Sequence, residues 1–161
     1  MELWQKVLPL GMMVSRSDGH AITILKNNDQ LYLLNSKFHR DNGPAVISSN
    51  YKLWYQNALL HNDYGPAIIT SNNDKLWYQY EALNRINGPD IEYANGDKEW
   101  FYHNTLHNSY GPAKILKIYD QYHKLNIENK EWFYMGKRHS IDAPAKTKVA
   151  KYYGLDAYKK K

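Results

Sequence analysis

The chain contains no cysteine. Disulfides and thiolate metal sites are therefore excluded, and a reducing compartment suits the composition. No apolar run approaches the roughly twenty residues that a membrane-spanning helix needs. The opening stretch "MELWQKVLPLGMMV" fits neither a span nor a secretory leader, because an early acidic residue and an internal proline interrupt its short apolar segments. A soluble, cytoplasmic protein is the expectation. GxSxG, Walker and HExxH patterns are all missing. Nothing in the sequence selects a nucleophile, a phosphate loop or a pair of catalytic carboxylates, so the expectation is a protein that is not an enzyme and that uses no cofactor.

Net charge is also missing from most of the chain. The formal +5 divides unevenly: residues 1–145 hold 15 Lys/Arg and 15 Asp/Glu, whereas residues 146–161 hold six lysines against Asp156. A body that gripped a phosphate backbone would carry the excess itself. Only the basic tail, with Lys146, Lys148, Lys151, Lys159, Lys160 and Lys161, is suited to nucleic acid, anionic lipid or an acidic protein.

Aromatic rings and an internal repeat are abundant. Fifteen tyrosines and five tryptophans are many for 161 residues, and each large ring buries much area, so even a thin architecture gains stability. Aligned on the glycine of a recurring bend, the chain reads Gly19, Gly43, Gly65, Gly88 and Gly111, with Ala143 as a degenerate sixth. The steps are 24, 22, 23, 23 and 32. Trp54, Trp77 and Trp100 keep the step of 23, and Trp132 lies 32 further on. Both markers shift by nine residues together, which places an insertion at about 114–130. A period of this size marks stacked units, each too small to bury its own apolar face.

Each unit reads as two strands. One follows the Gly-Pro bend ("AVIS", "AIIT", "AKIL"), and the other carries the aromatics ("KLWYQ" twice, "KEWFY" twice). The links between them are polar: "SSNY", "SNND" and "ANGD". Asn95-Gly96 is the strongest hairpin signal, predicting a two-residue turn with both central residues at positive φ. The other link, "LHNDYGPA" or "LHNSYGPA", is a bend. Proline there fixes its own φ and lacks a donor, glycine reaches conformations others avoid, and Asp or Asn caps the bend.

These residues resemble a variant of the MORN repeat (membrane occupation and recognition nexus), closest to the "WYxNGxxHRxDGPA" arrays of bacteriophages and large DNA viruses. The resemblance covers residues 15–145. "SRSDGHA" in the first unit lacks the proline and "HSIDAPA" in the sixth lacks the glycine, as suits terminal units, while Asn57-Ala58 and Glu81-Ala82 replace the usual Asn-Gly. It implies an all-β fold: a single-layer, twisted antiparallel sheet of about six stacked hairpins over residues 1–145, with an N-terminal cap at 1–14. The basic tail, 146–161, leaves room for a short C-terminal helix.

Several residues are candidates for contact. The recurring histidines are His39, His61, His107 and His139, with Asn84 in the third place. Neighbouring units lie about 10 Å apart, whereas zinc needs its nitrogens near 2 Å, so equivalent histidines cannot share an ion and a structural role in the bend is expected. His103 and His107 lie four apart but on a strand and a bend. Arg16, Arg40, Arg85 and Arg138 recur near these histidines, where they either pair with bend aspartates of a neighbouring unit or, with His61 and His107, read a phosphate. Trp54, Trp77, Trp100 and Trp132 share one face, with Tyr55 and Tyr78 on the other, and a single layer leaves part of one face open as a contact surface. The reading that follows is a binding module of phage or viral origin that engages a host-defence protein through this aromatic face. The alternatives are a sponge for a small signalling nucleotide through Arg40, Arg85, His61 and His107, or nucleic-acid contact through the tail. Unpaired strands at the ends of the sheet suit a homodimer.

Overall fold

The computed structural model describes residues 3–8, 11–122, 124–139 and 146–151. Ala143 and residues 152–161 of the basic tail lie outside them, so the short C-terminal helix that the tail leaves room for falls on described residues only at 146–151, which form a strand. Among the described residues there is no helix, and the chain forms the expected array of antiparallel hairpins.

A 14-stranded antiparallel sheet runs through the molecule as a meander. It begins with three six-residue strands, Leu3–Leu8, Gly11–Arg16 and His20–Leu25, followed by Gln30–Leu34. Short pairs come next: Val46–Ile47 with Tyr51–Leu53, Ile68–Thr70 with Lys75–Leu76, and Ile91–Glu92 with Lys98–Glu99. The far end returns to long strands, Lys114–Asp120 and Leu125–Glu131. The insertion expected at 114–130 is therefore a lengthened hairpin in the same sheet. Lys146–Lys151, the start of the basic tail, pairs with Leu125–Glu131 as a further strand.

The aromatic segment is not one strand. It leaves the main sheet at Trp54, Trp77, Trp100 and Trp132 and re-forms as a second, two-stranded hairpin: Tyr55–Gln56 with Leu59–Leu60, Tyr78–Gln79 with Ala82–Leu83, Phe101–Tyr102 with Thr105–Leu106, and Phe133–Tyr134 with Lys137–Arg138. Backbone bonds fix the break. The Trp54, Trp77 and Trp100 amides donate to the carbonyls of Ala67, Asp90 and Ala113 in the following unit, at 2.8–2.9 Å. The carbonyls of Trp54, Trp77, Trp100 and Trp132 accept from His61, Asn84, His107 and His139. Each ring position therefore ties the sheet, its own bend and the next unit together.

Two kinds of turn alternate along the array. At the tips of the small hairpins both central residues sit at positive φ: Asn35-Ser36, Asn57-Ala58, Tyr80-Glu81, His103-Asn104 and Met135-Gly136. The third of these falls one residue before the Glu81-Ala82 position read from the sequence. In the main sheet the loops Leu25–Asp29, Thr70–Asp74 and Tyr93–Asp97 are closed by two backbone bonds and keep one left-handed residue each, Asn28, Asn73 and Gly96. Asn95-Gly96 is thus a three-residue loop ending in left-handed glycine, not the two-residue turn expected, because only Gly96 has positive φ.

The tips carry a measurable cost. A left-handed residue with a Cβ is disfavoured by about 1–2 kcal/mol relative to glycine. Ala58 (φ 68°) is exposed, so Ala58→Gly is expected to raise the unfolding free energy by about 1 kcal/mol. Gly136 (φ 76°) is the reciprocal case: a Cβ there would lie 3.0 Å from the Thr105 Cγ2, and Gly136→Ala should lower stability by about the same amount. Urea midpoints of the two variants moving in opposite directions check the turn geometry.

The core is thin. Ala45, Ala67 and Ala113, each just after the Gly-Pro of its bend, are fully buried, with Val46 and Ile91 at 7% exposure. Among the described residues no large side chain is completely buried. Small methyls at the crossing of consecutive units allow the backbones to approach closely enough for the Trp–Ala backbone bonds.

Candidate functional site

The bends place the recurring polar residues in repeated geometry. The residue after each histidine position, Arg40, Asn62, Arg85 and Asn108, donates its side-chain N–H to the proline carbonyl four residues on, at 2.9–3.2 Å. Arginine and asparagine alternate, so the repeat has a double step. In the arginine bends the guanidinium lies on the ring of its own unit: Arg40 over Tyr32 at 3.7 Å and Arg85 over Trp77 at 3.8 Å. Gly43 and Gly88, in these same bends, have φ of 130° and 158°. In the asparagine bends Gly65 and Gly111 do not adopt positive φ, and Asn62 and Asn108 each accept from the amide of the tyrosine two residues on. Tyr64 and Tyr110, whose backbone amides this cap holds, are wholly exposed.

The histidines are bound into the bends. His39 is buried; its Nδ1 accepts from the Asn57 amide at 3.2 Å, and its Nε2 lies 3.0 Å from Asp41. His107 repeats this, with the Met135 amide on Nδ1 and Ser109 Oγ 2.9 Å from Nε2. His61 stacks on Tyr80 at 4.1 Å and has Asp63 3.2 Å from Nε2, although poorly aligned, so neither ring nitrogen makes a hydrogen bond. The bend aspartates therefore face histidines of their own bends. Among the described residues no arginine pairs with an aspartate of the next unit, one sequence expectation: Arg85 pairs with Glu92 at 2.7 Å and Arg138 with Glu131 at 2.9 Å. Among the described residues no three His, Asp or Glu side chains converge as metal ligands.

The four residues considered for phosphate do not converge. Arg85 and His107 line one cleft. Arg40 lines a separate hollow with Arg16 and His20, and His61 is packed against Tyr80. The tryptophans are in register as expected but half-buried, as are Tyr55 and Tyr78. Burial pushes up the hydroxyl pKa of both tyrosines, with the nearby Glu81 charge adding to it. Among the described residues the rings most open to solvent are Tyr64, Tyr110 and Tyr122, with Tyr80, Tyr102, Tyr119 and Tyr134 more than half exposed.

The cleft between the fourth and fifth bends holds a residue that the sequence reading passed over. Asp90 stands where the other units have Ala45, Ala67 and Ala113, and is 2% exposed. Its Oδ2 accepts from the Phe101 amide at 2.7 Å, while Oδ1 is buried with no hydrogen-bond partner. Burial raises the Asp90 pKa above the usual carboxylate value, opposed by the amides of Phe101, Arg85 and Asp90 and by the Arg85 charge. The signal was visible in the sequence as Gly-Pro-Asp among three copies of Gly-Pro-Ala. The open cleft has a volume of about 780 Å³, and the rings of Trp100, Phe101, Tyr102, Tyr110 and Tyr134 form part of its wall beside polar residues that include Arg85, Asn108 and Ser109. His107 sits between two of these rings, 5.7 Å from the Tyr102 ring and 4.8 Å from the Tyr134 ring.

Among the described residues no helix is long and apolar enough to cross a membrane. Compared with protein families, with curated proteins and with solved structures, the chain matches none.

Proposed function

We propose that the chain is a non-catalytic binding module that engages a partner protein along the bend side of its hairpin array. The observation that supports this most is the pair Tyr64 and Tyr110, both wholly exposed, in bends whose backbone is capped by the asparagine two residues earlier. They stand two units apart, about 20 Å at two strands per unit. Tyr102 and Tyr134, each more than half exposed, add area on the small hairpins. Tyrosine combines large contact area with few rotamers to freeze, which is why it anchors interfaces. The half-buried Trp54, Trp77, Trp100 and Trp132 hold the array in shape beneath this surface. On the resemblance to viral repeat arrays, the partner is a host-defence protein and the setting is the host cytoplasm.

The nucleotide-sponge alternative has less support, since its four residues are spread over separate places and the Arg85 charge is already offset by Glu92. The test compares the wild type with the Tyr64→Ser/Tyr110→Ser double variant as bait in host lysate. Because the bend backbone is capped by asparagine and not by the rings, the variant should keep its circular dichroism and melting temperature. The reading expects a partner that binds the wild type and binds the variant at least about tenfold more weakly, a loss of about 1.4 kcal/mol. Equal recovery by both baits would remove the tyrosines from the interface.

A further inference from the structure

We infer that the cleft between the fourth and fifth bends is a receptor for a cationic N–H group, an alkylammonium or guanidinium, with Asp90 as its acceptor. This goes beyond the tyrosine-row reading and does not depend on it. Three observations carry the inference. The first is substitution within the repeat: the equivalent alanines are completely buried, yet this unit places a carboxylate at that point. The second is the state of that carboxylate. One oxygen holds the Phe101 amide; the other is buried without a hydrogen bond, the Arg85 and Asp90 amides being only near enough to favour the charged form, an arrangement that is costly unless a well-placed donor arrives, and least costly when the donor is charged. The third is the wall. Trp100, Phe101, Tyr102, Tyr110 and Tyr134 form part of it, and aromatic faces attract cations but not anions.

The remaining charges leave room for a cation. Arg85 lines the cleft, but its guanidinium is stacked on Trp77 and lies 2.7 Å from Glu92, so that pair is neutral. His107 accepts the Met135 amide at Nδ1 and faces Ser109 at Nε2. Asp90 is therefore the unbalanced charge. A cleft of about 780 Å³ is within the range of small-molecule and side-chain sites. The cation can come from a lysine or arginine side chain of a partner protein or from a free amine, and the chemistry at Asp90 is the same in both.

The experiment titrates the purified full chain with small probes and follows tryptophan fluorescence, to which Trp100 contributes from the cleft wall, together with calorimetry. The probes are N-acetyl-arginine methylamide, its neutral isostere N-acetyl-citrulline methylamide, butylammonium and N-acetyl-lysine methylamide. Saturable binding of a cationic probe is expected, with a Kd of about 1 mM or tighter, as befits one small group, and without binding of the citrulline compound. Asp90→Ala restores the residue that the other units carry, so it should fold, and circular dichroism checks this. It should weaken cation binding at least about tenfold, and Asp90→Asn, which keeps the shape and an acceptor for the Phe101 amide, should do the same. Preference for the arginine derivative assigns the site to a guanidinium and preference for butylammonium to an alkylammonium, and tighter binding of N-acetyl-lysine methylamide than of butylammonium then assigns the alkylammonium to a protein side chain, the reverse to a free amine. The proposal is overturned if none of the cations binds, if citrulline binds as well as arginine, or if folded Asp90→Ala binds as tightly as the wild type.

Discussion

Ala67→Leu is expected to lower the unfolding free energy by about 3 kcal/mol, at the upper end of what overpacking costs. Ala67 is fully buried at the crossing of two units, its carbonyl accepting from the Trp54 amide and its own amide donating to the Leu76 carbonyl, both at 2.8 Å. A larger side chain cannot turn to solvent from there. Asp90, at the equivalent point, keeps its carbonyl 2.8 Å from the Trp77 amide, so the position takes a side chain of aspartate size; the larger leucine has to push the units apart and stretch the bond that defines where the aromatic segment leaves the sheet. Each unit touches mainly its neighbours, so the damage lands on one interface of a quasi-linear array. Ala67→Gly, which leaves the space empty, should cost only about 1 kcal/mol. Urea unfolding of the three proteins checks the order wild type, glycine, leucine. If leucine were tolerated as well as alanine, the close approach of the units at this position would not be a determinant of the fold.

The parts of the fold legible in the sequence were those set by local chemistry repeated at a fixed step. The spacing of Gly43, Gly65, Gly88 and Gly111 and the polar links between apolar segments were enough to specify stacked antiparallel hairpins. The break at each tryptophan was not legible, because it depends on an amide of one unit meeting a carbonyl of the next, a contact about a dozen residues away that no alternation pattern records. Turn chemistry misled for a related reason. Asn95-Gly96 is the best two-residue turn by composition, yet the strand register leaves it a three-residue loop. Tyr80-Glu81 is among the worst by composition, yet it forms a true two-residue tip. There the Glu81 amide donates to the Leu60 carbonyl at 3.0 Å, its carboxylate accepts from the Leu60 amide at 2.7 Å, and Tyr80 stacks on His61. Tertiary bonds outweigh the local preference.

The candidate site was legible in a different sense. Agreement between units pointed to tryptophans, histidines and arginines, and in the structure these are the residues that hold the array together. Departure from agreement was the better signal. Asp90 breaks the Gly-Pro-Ala pattern, and Tyr64 and Tyr110 alternate with Asn42 and Asn87 at the residue before the bend glycine. What the sequence could not supply was exposure: the Tyr64 ring is wholly exposed and Asp90 is buried, and neither follows from the residues next to it in the chain.

Histidine substitutions separate a structural bend from a ligand site. His39→Ala is expected to cost about 2–3 kcal/mol, because it leaves a cavity at a buried position and takes the acceptor from the Asn57 amide. That amide and the Ala58 amide, which donates to the Phe38 carbonyl at 2.8 Å, are the two bonds tying one hairpin tip to the unit before it. The network requires the ring to carry its proton on Nε2, toward Asp41, with Nδ1 free to accept. His107 makes the same pair of contacts from a less buried position, so His107→Ala should cost about 1 kcal/mol. Asn84, in the equivalent place, is exposed, and Asn84→Ala should change stability by less than about 0.5 kcal/mol. Thermal and urea unfolding of the three variants therefore rank them His39, His107, Asn84. A residue kept for binding shows the opposite behaviour, losing affinity on truncation with stability intact. If His39→Ala melted with the wild type, the bend histidines would have to be reassigned from scaffold to ligand contact, and the array would need another bond to hold its hairpin tips in step.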